Sequence, residues 1–257
     1  MRVALAVALV CCSVTSSAVA RADTREASAA LHVSLVPEQL GRGTTIEFGF
    51  VLAGADGRLP PPVTALSLLY PHGFGIVTSG LGLASCTTTA LETFGPSGCP
   101  SRSLMGYGTA TGAIEVDHEV VDEEALTAVF MAPFDNGELA LLFFLDAYSP
   151  LLAERIFSGR IVPARAPFGG ALTIAVPLIE SFADGPDVAL VRLRSTIGPL
   201  GITYYNHIHG KFVPYRPSGI VLPDRCPRGG FPFAARFMFA DGGELTAHTT
   251  VRCPRRR

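Results

Sequence analysis

From Leu31 onward, apolar side chains recur at every second position in short stretches, broken by Gly, Pro, Asp and Asn. A period of two is the signature of a strand with one buried face, whereas a helix repeats every 3.6 residues. Helical periodicity is nearly missing. The pattern predicts strands at Leu31–Val36, Thr45–Ala53, Val63–Tyr70, Gly108–Val116, Leu126–Ala132 and Glu138–Ala147. It continues with Ile156–Ala164, Ala171–Val176, Val188–Ile197, Ile202–Val213, Phe233–Ala240 and Glu244–Arg252. Leu139–Leu145 is apolar at every position, which places it in the middle of a sheet covered on both sides. Short helical turns are predicted at Thr89–Phe94 and Pro150–Phe157.

Turn chemistry joins several of these strands. Asn136-Gly137 and Asp241-Gly242-Gly243 sit between apolar runs, where residues tolerating positive φ close tight hairpins. Asp56-Gly57 marks a third turn, followed by Pro60-Pro61-Pro62, which cannot occupy a central strand. About a dozen strands without covering helices bury their apolar faces most simply against one another. The expected fold is therefore all-β: a β-sandwich, immunoglobulin-like in the broad sense, of two packed, mainly antiparallel sheets. No repeat or low-complexity linker divides the chain. One domain over residues 28–254 is expected, with a division into two sub-domains left open.

The first residues bear on compartment. Arg2 precedes an apolar run from Val3 to Cys12, and small residues follow with overlapping sites at Ala18-Val19-Ala20 and Ala20-Arg21-Ala22. That layout is a secretory signal peptide over residues 1–22, cleaved after Ala20 or Ala22. The apolar run is about half the roughly 20 residues of a spanning helix, so no stable transmembrane anchor is expected. Val10 before Cys11 also argues against a lipid anchor. The protein is read as secreted and extracellular.

Composition narrows the classes further. With 48% hydrophobic and 16% charged residues, the chain is far from the signature of disorder. The 20 basic and 22 acidic residues nearly balance, which excludes the basic footprint of a nucleic-acid reader. The only basic run, Arg255-Arg256-Arg257, reads as a solvated end. Of six cysteines, Cys11 and Cys12 belong to the leader, leaving Cys86, Cys99, Cys226 and Cys253. An even number in an exported chain points to disulfides. Three connectivities are open. Proximity in sequence favours Cys86–Cys99 and Cys226–Cys253, each contributing roughly 3 kcal/mol through loop closure. A turn near Gly242 would set Cys253 opposite a residue near Phe231. The second bridge thus requires Pro227–Phe231 to bend back, which Gly229 and Gly230 permit.

A set of short motifs runs through most of the mature chain. LSLLYPHGF leads to Cys86, then Cys99-Pro100 with Ser103, Gly106 and Gly108. Later come Gly185-Pro186-Asp187-Val188, Ile197-Gly198, Cys226-Pro227, Gly229-Gly230-Phe231, Phe239-Ala240-Asp241-Gly242 and Cys253. Together they resemble a group of uncharacterised secreted, disulfide-containing, β-rich proteins of actinobacteria. The resemblance implies export and a sandwich-like fold, and implies no activity.

Candidate chemistry is sparse. His207 and His209 in YYNHIHGKF would share one face of a strand, a spacing at which imidazoles can hold zinc or copper. His248 is the further ligand of matching style. The pattern is equally that of an ordinary strand with its polar side out, and no metal or other cofactor is expected. Asp117–Glu124 (DHEVVDEE) lacks the spacing of a calcium loop and reads as a charged connection between strands. No G-x-S-x-G elbow occurs, and Gly95-Pro96-Ser97-Gly98 reads as a turn. Gly80-Leu81-Gly82 and Gly106-Tyr107-Gly108 precede no helix and are not phosphate loops. No catalytic residue is identified.

Three functions fit this pattern. The first is a non-catalytic binding or structural module of the cell envelope or exterior, its partner unknown. A second is a hydrolase using two of its scattered acids, such as Asp146, Glu180, Asp184 and Asp187. The third is a carrier of an apolar ligand, which an empty apolar cavity between the sheets would support.

Overall fold

The structure, a computed structural model, describes residues 27–75, 80–134, 137–150 and 152–254. The leader at residues 1–22, Asn136 of the expected turn and the tail Arg255–Arg257 lie outside the described residues. The chain is all-β with antiparallel pairing. In order, the strands are β1 (Ser28–Val36), β2 (Gly43–Ala53), β3 (Val63–Pro71), β4 (Leu104–Val116), β5 (Glu119–Met131), β6 (Leu139–Ser149) and β7 (Ala153–Pro163). There follow β8 (Phe168–Ala175), β9 (Ala189–Ile197), β10 (Tyr204–Ile208), β11 (Lys211–Tyr215), β12 (Ile220–Val221), β13 (Phe231–Phe239) and β14 (Glu244–Val251). Among the described residues one α-helix, α1 (Thr88–Phe94), stands between β3 and β4, followed by two short 3-10 turns.

The pairing corrects the expected sandwich. One continuous ladder runs β1-β2-β9-β4-β5-β6-β7-β8-β3-β13-β14, with the short β12 on β2 off this path. The two end strands, β1 and β14, come to lie against each other. A single sheet thus curls into a nearly closed barrel in place of two separate, immunoglobulin-like sheets. Among the described strands only the β10–β11 hairpin stands outside it.

Alternation decides what faces inward. On β2 the inward set is Ile46, Phe48, Phe50 and Leu52, and on β13 it is Phe231, Phe233, Ala235, Phe237 and Phe239. Phe50 and Phe237 meet edge to face across the interior with centroids 4.9 Å apart. Large side chains therefore fill the barrel on the β1, β2, β13 and β14 side. On β6 both faces are covered, as the apolar run predicts. Leu141 and Phe143 face the interior, while Leu142 and Phe144 pack outward under α1, where Leu91 is 1% exposed. The Thr87 hydroxyl caps α1 by accepting from the Ala90 amide at 3.2 Å.

Two disulfides tie these pieces down. Cys86–Cys99 closes the α1 segment with Cα atoms 5.1 Å apart, and Cys226–Cys253 spans 5.9 Å. The latter uses the expected bend, for Phe231 pairs with Val251 and Gly230 donates its amide to the Pro227 carbonyl. Gly229 and Gly230 take φ values of 94° and 106°, open to glycine alone at little cost.

Three expectations need correction. Pro150–Phe157 is no helical turn, because β7 begins at Ala153 and pairs with β6. Ile202–Val213 is no single strand, since His209 (φ 48°) and Gly210 (φ 76°) turn the chain between β10 and β11. Asp117–Glu124 is mostly strand. Asp117 and His118, at φ 49° and 68°, make the two-residue turn between β4 and β5, and Glu119 already pairs with Val116.

Candidate functional site

Opposite the filled side, the barrel wall turns small inside. Inward positions carry Ala110 and Gly112 on β4, Ala125 on β5, Ala147 on β6 and Ala153 on β7. Ala125, Ala147 and Ala153 stand in one row across three strands. An eight-stranded barrel is just wide enough for side chains to fill it, and a wider circuit needs larger residues to stay solid. Here the residues are smaller. The result is a cavity of about 440 Å³, walled by Phe143, Leu145, Phe157, Leu190 and Leu193 around the alanines.

Its polar furniture is limited. Glu123 on β5 lines the cavity at 7% exposure, and its Oε1 has no hydrogen-bond partner. It is the only buried charged side chain among the described residues. Desolvation pushes its carboxyl above the usual carboxylate range. Thr127, on the same face of β5 two pleats further in, lines the cavity with its Oγ1 also unpartnered. The two lie roughly 13 Å apart along the strand. Ser195 on β9 is a third lining group, its hydroxyl turned to the Tyr107 carbonyl at 3.4 Å.

The mouth is set by the residues of the lining that are exposed. Leu152, Glu154 and Arg155 come from the start of β7, and Leu178 and Glu180 from the loop between β8 and β9. That loop is closed on itself: Ser181 donates both its amide and its hydroxyl to the Pro186 carbonyl, and Val188 donates its amide to the Ile179 carbonyl. The register puts Glu123 one step past the alanine row, at the end of the barrel where Leu152 lies.

No family model, no curated protein and no solved structure matches the chain. The site must therefore be read from its own chemistry.

Of the other predicted residues among those described, only Glu180 reaches the lining, at its exposed mouth. His207 lies exposed on β10 against Phe212, with centroids 5.2 Å apart, while His209 sits in the turn, so the pair shares no strand face. His248 is exposed on β14, in the barrel wall. Among the described residues no three His, Cys, Asp or Glu are grouped to hold a metal ion. Cys86, Cys99, Cys226 and Cys253 are all in disulfides, away from the cavity lining. Of the acids weighed for hydrolysis, Asp146 pairs in register with Glu154 across β6 and β7. Glu180 and Asp187 form an isolated bridge within the β8–β9 loop, and Asp184 stands near its tip at φ 59°. None of these accompanies Glu123 as a second buried carboxyl. Glu123 itself was hidden in a charged run; its signal is the alternation Val121, Glu123, Ala125, Thr127, Val129, which continues the strand backward.

Proposed function

We propose that the protein is an exported, non-catalytic binding protein that carries an apolar ligand inside its barrel. The observation that carries this reading is the 440 Å³ cavity behind the alanine row, largely apolar, with Glu123, Thr127, Ser181 and Ser195 within it and Glu154, Arg155 and Glu180 at its mouth. Small-molecule pockets are typically about 300–1,000 Å³, largely apolar, with a few placed polar groups. The barrel presents its apolar face inward and Arg192, Arg194, Arg236 and Glu244 outward, the reverse of a membrane-spanning barrel. No described helix is long and apolar enough to cross a membrane. Together with the two disulfides, this supports an oxidising, extracellular or cell-envelope setting.

N-phenyl-1-naphthylamine, a neutral fluorophore that brightens in apolar surroundings, tests the reading. Saturable binding at one probe per chain is expected. Ala125→Leu, which puts bulk into the alanine row, should weaken it about tenfold or more with an unchanged circular dichroism spectrum. Ala147→Leu serves the same purpose should the first variant fold poorly. Absence of saturable binding, or undiminished binding in a folded filled variant, would contradict the proposal.

A further inference from the structure

Building on that reading, we infer that the ligand bears a protonated amine at one end of its apolar body, and that Glu123 is the counter-charge that selects it. A buried charge without a partner is among the costliest features a fold can keep. Glu123 is held there, 7% exposed and with Oε1 unpaired. Across the ladder it faces Gly112, and Val188 fills the space that a Cβ on Gly112 would take. Among the described residues no arginine or lysine pairs with it; Arg155 donates to the Glu154 carbonyl at 2.9 Å and is exposed. Among the described residues the position lacks a protein cation, which leaves it open to one from a ligand.

The surrounding charges agree. Glu123, Glu154 and Glu180 line the cavity against Arg155 alone, three carboxyls to one guanidinium. That balance attracts a cationic head and repels a carboxylate. Register supplies the orientation. Glu123 lies toward the mouth beside the Leu152 end, while Phe143 and Phe157, stacked with centroids 5.4 Å apart, line the cavity further in. An alkylamine would therefore enter tail first, its body among the alanines and phenylalanines, its ammonium on Glu123. Burial raises the carboxyl's proton affinity, and an ammonium beside it would reverse that shift.

Displacement of N-phenyl-1-naphthylamine by decylamine, decanol and decanoate at pH 7 tests the inference. Charged hydrogen bonds contribute about 1.5–3 kcal/mol, so decylamine should compete at roughly tenfold lower concentration, or better, than decanol. Decanoate should be the weakest. In Glu123→Gln the decylamine-to-decanol ratio should fall to below about threefold, decanol reporting within the same variant that the cavity is intact. Equal competition by decanol or decanoate in the native chain overturns the inference, as does a ratio unchanged in Glu123→Gln. The native-chain series decides the matter even where the variant fails to fold. Failure of the fluorophore to bind at all would instead remove the carrier reading beneath it.

Discussion

Glu123 binds its proton more tightly in the folded chain than in the unfolded one, because burial disfavours the carboxylate. Between the ordinary glutamate value, about 4.3, and the raised folded value, the native state holds more protons than the unfolded state. Stability contributed at this site is therefore complete below that window and lost as pH rises through it. Asp122 and Glu124, its neighbours on β5, alternate to the outer face, where Glu124 accepts from the Thr111 hydroxyl at 3.1 Å. The charges that share its cavity are Glu154, Arg155 and Glu180. Urea unfolding from pH 4 to pH 8 should show Glu123→Gln gaining midpoint relative to the native chain as pH rises. A constant difference across that range would show that Glu123 is solvated.

At the scale of elements, the α1 segment acts as a cover. Leu91 and the Cys86–Cys99 bridge seal Phe130, Leu142 and Phe144 on the outer face of β5 and β6. Replacing both cysteines by serine should cost about 3 kcal/mol by denaturant titration, with faster amide exchange across residues 140–144. A loss under about 1 kcal/mol would mean that packing alone holds the cover. The same elements show what the sequence made legible. The run Leu139–Leu145 announces a strand covered twice, and the turn at Asp241-Gly242-Gly243 fixes the register that brings Cys226 to Cys253. Charge concealed the rest. In DHEVVDEE the acids on the outer face mask a strand whose inner face carries Glu123, the residue on which the site depends. Between β10 and β11, a turn at His209-Gly210 carries no Asn-Gly or Asp-Gly signal, so two short strands read as one.

For the whole molecule, the decisive feature is the order of strands. β9 inserts between β2 and β4, and β3 between β8 and β13, pairings made by residues far apart in the chain. Periodicity reports which face of a strand is apolar but not which strand lies beside it, so a barrel and a sandwich read alike in sequence. Closure around so many strands, combined with alanine and glycine on one wall, is what leaves room inside. The central claim is that this room holds an apolar molecule, and its most direct test is a crystal structure with 10-bromodecanol read by bromine anomalous scattering. The account predicts one strong peak per chain inside the barrel, within contact distance of Phe143 or Phe157. Bromine ordered only on the outer surface, with the interior closed or filled by side chains, would contradict it.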